Sequence, residues 1–512
     1  MRRALFLLPL FIASHAMAYD PTKADRYPSP DMYRPNVDSV IVRGNSSSGD
    51  ISNMSVVPSS SAPAGTLANT IFGLSNAVTG LAPLNNPQFT GVVNAPSLNL
   101  SGTGSTGDLS STSVLFNGIS RTLLDTISER PSVVFYGVDM TGVADSTAAF
   151  TAALNSGKHV TAPCGTIRLV GRVDITTPAD FSGAGPCTLI KNDAPAGSAA
   201  DRVINVMPSA VGTRLDNFAL TQQTSIKNFI PTTACGGTII CGAAILVQAD
   251  DTLITKATIS DSYDNCLAFG QLDSNQTTYV PGKPRGVGYE HIRTSGCGFS
   301  PRREAAGIDV GTASNAHGND HIDVGSSAAW ILDVGAGANG NFSNHTAINT
   351  PCAPADGGSN GRSQSFYVGG SDALLTNFTT VTPCDRGWFI DAPVHNLVIN
   401  NYLVKAPGKE AMFVRASSSV LSNGIIDSPG FGSTSGTFAG VYIDTSAGAI
   451  TGLYFNGLGF HNANGTQASQ GLFYLGSGSL DGAATVTDTT GVASIAAVPS
   501  TFKVIQPRNY PN

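Results

Sequence analysis

Two aspartates, Asp309 and Asp333, stand 24 residues apart, each inside a short apolar run, Ile308 to Val310 and Ile331 to Val334. Further on, Tyr367, Phe389, Phe413 and Tyr442 hold the middle of similar units: Phe366-Tyr367-Val368, Trp388-Phe389-Ile390, Met412-Phe413-Val414 and Val441-Tyr442-Ile443. Successive side chains of a strand leave on opposite faces, so the middle residue of each unit should point outward. Stacked strands would then line up two carboxylates and four aromatic rings in one column. Neighbouring strands lie about 4.8 Å apart, which sets the carboxylates side by side, and like charges raise the pKa of one of such a pair. An acid beside an ionised partner is what glycosidic cleavage uses. One carboxyl protonates the leaving oxygen while the other attacks or activates water, at ~5–5.5 Å for retention and ~6.5–9.5 Å for inversion. Rings in a row suit the apolar faces of a long glycan. The competing reading is that the aspartates are simply solvated and the rings covered by loops or by a trimer interface.

Other groups could join that chemistry. The run AHGNDHIDV, Ala316 to Val324, concentrates His317, Asp320, His321 and Asp323, acid–base groups or metal ligands by type. Zinc is the weaker reading of this group, and Asp323 stands as a further catalytic candidate. Asp261 and Asp264 in SDSYDNC stand at a coil corner, as catalytic carboxylates or as an Asx-turn. The longest break in the rhythm, between Phe269 and Ile308, carries Glu290, His291, Arg302, Arg303 and Glu304. Long loops on a scaffold tend to hold function, so Arg302 and Arg303 are candidates for contacting substrate. Hydrolysis needs no cofactor; lyase chemistry would call for calcium on clustered aspartates with an arginine base.

These residues need a scaffold that repeats, and the chain repeats. The middle residues Tyr367, Phe389, Phe413 and Tyr442 are 22, 24 and 29 apart, and Leu472-Phe473-Tyr474 adds one more unit. About halfway along each gap lies a second unit: LLTNFTTVTP from Leu374, LVINNYLVKAPG from Leu397, VLSNGIIDSPG from Val420, ITGLYFNGLGF from Ile450. Self-similarity at this period marks a solenoid whose repeats bury their apolar faces only against each other. With alternating rather than helical spacing, the expected architecture is all-β, a right-handed parallel β-helix over 131–480, with closing strands in 481–512.

Composition agrees. The 512 residues include 57 glycines and only 12% charged side chains, which suits short strands and tight turns. A net charge of −7 and the lack of a basic run exclude a nucleic-acid partner. Residues 1–18 read as a signal peptide: Arg2 and Arg3, an apolar core from Leu5 to Ile12, and Ala16-Met17-Ala18. Nothing later is long and apolar enough to span a bilayer, so the expected address is extracellular or periplasmic. Residues 19–130 read as a stalk, with Ser- and Pro-rich stretches. Within it, Leu67, Ile71, Leu74, Val78 and Leu81 make a heptad seam of about two repeats; an isolated amphipathic helix fits equally. Eight cysteines in an oxidising compartment favour disulfides. Gaps of about one coil pair Cys164 with Cys187, Cys266 with Cys297 and Cys352 with Cys384, leaving Cys235 with Cys241; buried free thiols are the alternative.

Two resemblances add to this. VFYGVDMTGVADSTAAFTAAL, Val134 to Leu154, resembles the opening motif of the rhamnogalacturonase/epimerase-like pectate-lyase superfamily, matching at Phe135, Gly137, Gly142, Asp145, Thr147, Ala148 and Ala149. Asp139, Met140 and Thr141 depart from it. HVTAPCGTIRL from His159 and FSGAG from Phe181 continue the likeness. It implies a parallel β-helix whose first coil is capped by a short helix, with Asp145 and Ser146 at the helix N-terminus. The polygalacturonase signatures are missing, His317-Gly318 being the nearest approach, which speaks against pectin hydrolysis by that route. NNPQFTGVVNAPSLNLSG, Asn85 to Gly102, resembles phage tail-fibre and tailspike shafts, and Ser113 to Pro131 the connector that follows them. That implies a homotrimer formed through the stalk. A signal peptide is foreign to such proteins; an exported relative of a tailspike reconciles the two. The sequence thus points to a secreted protein that cleaves an exopolysaccharide or pectin-like polymer, as hydrolase or lyase, or to a non-catalytic carbohydrate-binding adhesin or tailspike-like receptor-binding protein.

Overall fold

The computed structural model describes residues 113–116, 119–122, 130–193, 202–222, 243–262, 265–273, 279–298, 306–326, 330–348, 364–431, 438–461, 472–476, 478–490, 496–497 and 499–505. The expected signal peptide, heptad seam and shaft-like segment lie outside them, as do Asp264, Arg302, Arg303, Cys235, Cys241 and Cys352. The chain divides into residues 1–114 and 115–512, and the coils all belong to the second unit.

That unit is a parallel β-helix. Two long parallel sheets run its length, one of 17 strands and one of 12. A single coil shows how the sequence closes it. The short strand Gln364–Val368 leads through Asp372, at φ 58, into the long strand Ala373–Val381, which bends at Asn377, at φ 62. Thr382, at φ 50, then turns the chain toward the next short strand, Trp388–Ile390. Left-handed backbone is costly for most side chains, and asparagine tolerates it best. At the middle bend the same conformation recurs at His291, Asp320, Asn344, Asn377, Asn401 and Asn423. The asparagines repay the strain by bonding along the axis: Asn377 Nδ2 donates to Asn344 Oδ1 at 2.9 Å, and Asn401 Nδ2 to Asn377 Oδ1 at 3.0 Å. In the earlier coils the bend splits the strand, so Leu253–Thr255 and Thr258–Ser260 both pair with the single strand Gly288–Ser295.

Alternation fills the interior. The flanking residues of the short units, Phe366, Val368, Trp388, Ile390, Met412, Val414, Val441 and Ile443, are all buried. Inside, Phe366, Phe378 and Trp388 pack ring against ring at 4.8–5.2 Å, contacts worth about 0.5–1.5 kcal/mol each beyond the area they bury.

The first coil is capped as the opening motif implies. A 3-10 turn, Val133–Tyr136, is followed by the helix Thr147–Leu154, whose Phe150 packs edge-on against Phe181 at 5.5 Å. Asp145, just ahead of the helix, accepts from the backbone N–H of Thr147 at 3.0 Å and of Val170 at 3.1 Å. The departure at Asp139 has its own logic. Its carboxylate accepts from the Thr141 hydroxyl and the N–H groups of Ala144, Thr141 and Val143, which hold its pKa down at about 2. The turn is closed by this anion together with Gly142, at φ 75.

Two expected disulfides are present: Cys164–Cys187 and Cys266–Cys297, with Cα separations of 4.8 and 5.5 Å. Cys384 is also disulfide-bonded. Among the described residues no helix is long and apolar enough to cross a membrane.

Candidate functional site

The register of the twelve-stranded sheet fixes one outward column. Leu246 pairs with Ala268, Ala268 with Asp309, Asp309 with Asp333, and Asp333 with Tyr367. Tyr367, Phe389, Phe413, Tyr442 and Tyr474 then follow on consecutive rungs. The two carboxylates therefore stand next to each other at one end of the aromatic row. Tyr474, the end of the repeat Leu472-Phe473-Tyr474, continues the row by one rung.

The surroundings of the carboxylates differ from the solvated ridge that alternation alone suggests. Asp309 is 5% exposed and Asp333 9%. Part of the stretch between Phe269 and Ile308 folds back over the sheet: Leu272 and Tyr279 form an antiparallel bridge and pack on Ala243, Leu246 and Ala268. The Gln248 side chain anchors it by accepting from the Leu272 N–H at 3.1 Å. Beneath this cover, Asp309 accepts from the Gly311 N–H at 2.6 Å, Asn265 Nδ2 at 3.1 Å and the Tyr279 hydroxyl at 3.5 Å. On the other side Trp330, held by its indole N–H to Gln364 Oε1 at 3.0 Å, packs tilted by 39° against Tyr367, ring centres 4.8 Å apart.

The rings also depart from expectation, for a geometric reason. Phe389 and Phe413 stack at 4.7 Å and 6°, Phe413 and Tyr442 at 5.1 Å and 10°, Tyr442 and Tyr474 at 5.1 Å and 29°. Tyr367 and Phe389 follow at 5.8 Å and 13°. Rings one rung apart and parallel cover one another's faces. Phe389, Phe413 and Tyr442 thus have no free face for a sugar to stack on; they offer edges, and the tyrosines add hydroxyls.

The groups that flank the rings lie outside the residues the sequence singles out. Past the C-terminal end of the short strands, Arg415 donates from Nη1 to Asp391 at 3.0 Å and from Nε to Asp444 at 2.8 Å. Its guanidinium carbon lies 4.9 Å from the Phe413 ring centre. Tyr367 donates its hydroxyl proton to Asp391 at 3.0 Å. On the other flank Arg386 Nε donates to Glu410 at 2.9 Å, and Lys409 pairs with Asp385 at 3.0 Å. Burial alone would raise the Asp444 carboxyl, but the Ser446 N–H and Arg415 outweigh it and hold the group below its usual range. Burial would lower the Arg415 pKa; Asp444 and Asp391 reverse that and raise it. Burial and the neighbouring Asp444 push the Tyr442 hydroxyl up. The signal was there to find. Arg386 and Glu410, like Asp391 and Arg415, are 24 residues apart, one coil, with opposite charge.

Asp323 lies elsewhere. The left-handed bend at Asp320 turns the second half of its strand so that His321 and Asp323 point inward, both fully buried. Asp323 accepts from the Thr294 and Ser326 hydroxyls at 2.6 and 2.5 Å, and Thr294 Oγ1 is 2.7 Å from His321 Nε2. Tyr289 and His345 bond at 2.7 Å in the same layer. Burial raises the Asp323 pKa to about 6, against the Ser326 and Thr294 bonds. It lowers His345 to about 3, and together with the charge of His345 drives His321 well below its ordinary value. Asp323 therefore belongs to an interior network, out of reach of a polymer on the surface. Asp261, at φ 56, occupies a left-handed corner, as a turn residue would. Among the described residues no cluster of three or more His, Cys, Asp or Glu could hold a metal ion.

Fold and site together define a parallel β-helix with a carboxylate pair at one end of an outward aromatic row. No family model matches the chain, and no curated protein sequence matches it. Among solved structures it is similar to a variant of the catalytic domain of a GH87 alpha-1,3-glucanase in complex with nigerose. The two share 15% identity over 74% of this chain and 68% of that one, with a TM-score of 0.52. The same catalytic domain in another complex with nigerose gives 14% identity, the same coverage and a TM-score of 0.51. At this identity the likeness is one of fold. The enzymatically active domain of bacteriophage CBA120 tailspike protein 2 aligns over 78% of this chain and 55% of its own, at 14% identity and a TM-score of 0.45.

Proposed function

We propose that this protein is an exported, polysaccharide-active β-helix that takes a glycan lengthwise along the twelve-stranded sheet and cleaves it at Asp309 and Asp333. The observation that carries the proposal is the register. The two carboxylates occupy adjacent rungs, and the rows of hydrogen-bonding groups beside the rings repeat at the rung spacing of about 4.8 Å, close to the length of one sugar residue. Ring edges, tyrosine hydroxyls, Arg415 and Asp391 would hold the chain, and the pair near Tyr279 would act on the bond. In that role one carboxyl protonates the leaving oxygen and the other activates water or attacks the anomeric carbon. No cofactor is needed for hydrolysis; calcium would enter only for a lyase, and EDTA insensitivity would support the hydrolytic route. The opening motif supports kinship with the pectate-lyase superfamily. The leader pattern and the disulfides support export, and the shaft-like segment supports a homotrimer. Reducing-end release and unsaturated-product absorbance across a polysaccharide panel test the activity.

One observation favours a second reading. Asp391, Glu410 and Asp444 are all ion-paired with arginine, which suits a surface built to bind. Retention of a glycan with no cleavage in that panel would mark a carbohydrate-binding adhesin or tailspike-like receptor-binding protein.

A further inference from the structure

We infer that the polymer bound along the aromatic row is uncharged, an inference that rests on the polysaccharide reading above. Beside the rings, the described residues supply three cations, Arg386, Lys409 and Arg415, and four carboxylates, Asp385, Asp391, Glu410 and Asp444. Every one of these cations is engaged. Arg415 reaches Asp391 at 3.0 Å and Asp444 at 2.6 Å. Arg386 reaches Glu410 at 2.9 Å and Asp385 at 3.5 Å, and Lys409 reaches Asp385 at 3.0 Å. The strip is one negative charge in excess. A uronate or sulfate would have to take a cation away from a carboxylate already on it. That would strand an ionised oxygen at Asp385, Glu410 or Asp444, all buried, or at the partly exposed Asp391, and a lost partner is costly there.

Neutral sugar hydroxyls meet no such obstacle. A hydroxyl both donates and accepts. Asp391, the most exposed of the four carboxylates, can accept from it without losing Arg415. A guanidinium has five N–H donors, and Arg415 commits Nε, Nη1 and Nη2 through one contact each, so donors remain. The same ion pairs that repel an acidic chain hold the groups still for a neutral one.

The full chain, run by affinity electrophoresis through gels containing a soluble neutral glucan, a galactomannan, polygalacturonate or alginate, tests this at about 0.1 M and about 1 M salt, where the Debye length falls from about 10 Å to about 3 Å. Retardation by a neutral polymer, unchanged by salt within about twofold, is expected, with acidic polymers bound at least about tenfold more weakly, equivalent to about 1.4 kcal/mol. The double variant Asp391→Asn with Asp444→Asn frees Arg415 and should gain about tenfold for polygalacturonate at the lower salt and lose that gain at the higher. Tighter binding of an acidic than of every neutral polymer by the unmodified protein would overturn the inference and leave the polysaccharide reading standing. Failure of every polymer to retard it overturns both.

Discussion

Acidification from pH 6 to pH 4 should cost the fold about 2–3 kcal/mol, through three groups sealed inside the coil. An unfolded histidine titrates near 6.5 and an unfolded aspartate near 3.9. In the folded chain His345 titrates at about 3, His321 well below its ordinary value, and Asp323 at about 6. Between about pH 4 and pH 6 the unfolded state therefore carries a proton on each histidine and none on the aspartate, while the folded state carries one on Asp323 alone. Unfolding takes up one net proton, so stability falls by about 1.4 kcal/mol for each unit the pH drops. The signs oppose. Depressed histidine pKa values contribute stability that is lost as pH falls through 6.5. The raised Asp323 pKa favours folding in acid, and that contribution is lost as pH rises toward 6. Asp139, Asp145, Asp193, Asp250, Asp320 and Asp444, all held below the carboxylate range, begin to lose their contributions at the acid edge of the window, as the unfolded carboxyls protonate near 3.9, and lose most of them below it. Reversible urea unfolding at constant ionic strength, stepped across the window, reads the slope. Replacing one histidine (His345→Gln, which keeps a partner for Tyr289) should flatten it to zero. Asp323→Asn should double it to about 2.7 kcal/mol per unit. A flat profile for the unmodified protein, or an Asp323→Asn profile shallower than it, would refute the reasoning.

Asp309→Asn and Asp333→Asn should each lower cleavage about 10²–10⁴-fold with the far-ultraviolet spectrum unchanged; turnover within about threefold of the unmodified rate would remove them from the chemistry. Arg415→Ala strips Asp391 and Asp444 of their common partner and uncovers Phe413. It should cost about 1–2 kcal/mol in urea midpoint stability and weaken glycan retention. Losing either disulfide, by Cys164→Ser with Cys187→Ser or Cys266→Ser with Cys297→Ser, opens a loop of 23 or 31 residues. Thermal or urea unfolding should report a loss of about 3–4 kcal/mol. Asn377→Ala, at φ 62 and bonded to two neighbouring asparagines, should cost about 1–3 kcal/mol by the same measurement.

The repeat Phe366-Tyr367-Val368 and its successors carried the fold openly, because a solenoid writes its period and its inside-outside alternation into every coil. The register Asp309, Asp333, Tyr367, Phe389, Phe413, Tyr442 followed from the same alternation. The facing of the rings did not, since stacking angle depends on side-chain rotation that spacing leaves free. Nor did the cover over Asp309: Leu272 and Tyr279 lie in a stretch with no repeat to compare them with. Asp323 was a candidate by residue type alone, and spacing does not show that Asp320 turns left-handed and reverses the alternation within one strand. Asp391, Glu410 and Arg415 were legible as charges one coil apart but sit just outside the apolar units that mark the repeat.

A structure of the protein soaked with an oligosaccharide that retards it tests the account most directly. The sugar should lie along Phe389, Phe413 and Tyr442, with hydroxyls on Arg415 and Asp391 and one end near Asp309 and Asp333. Sugar bound instead on the seventeen-stranded sheet would contradict the site.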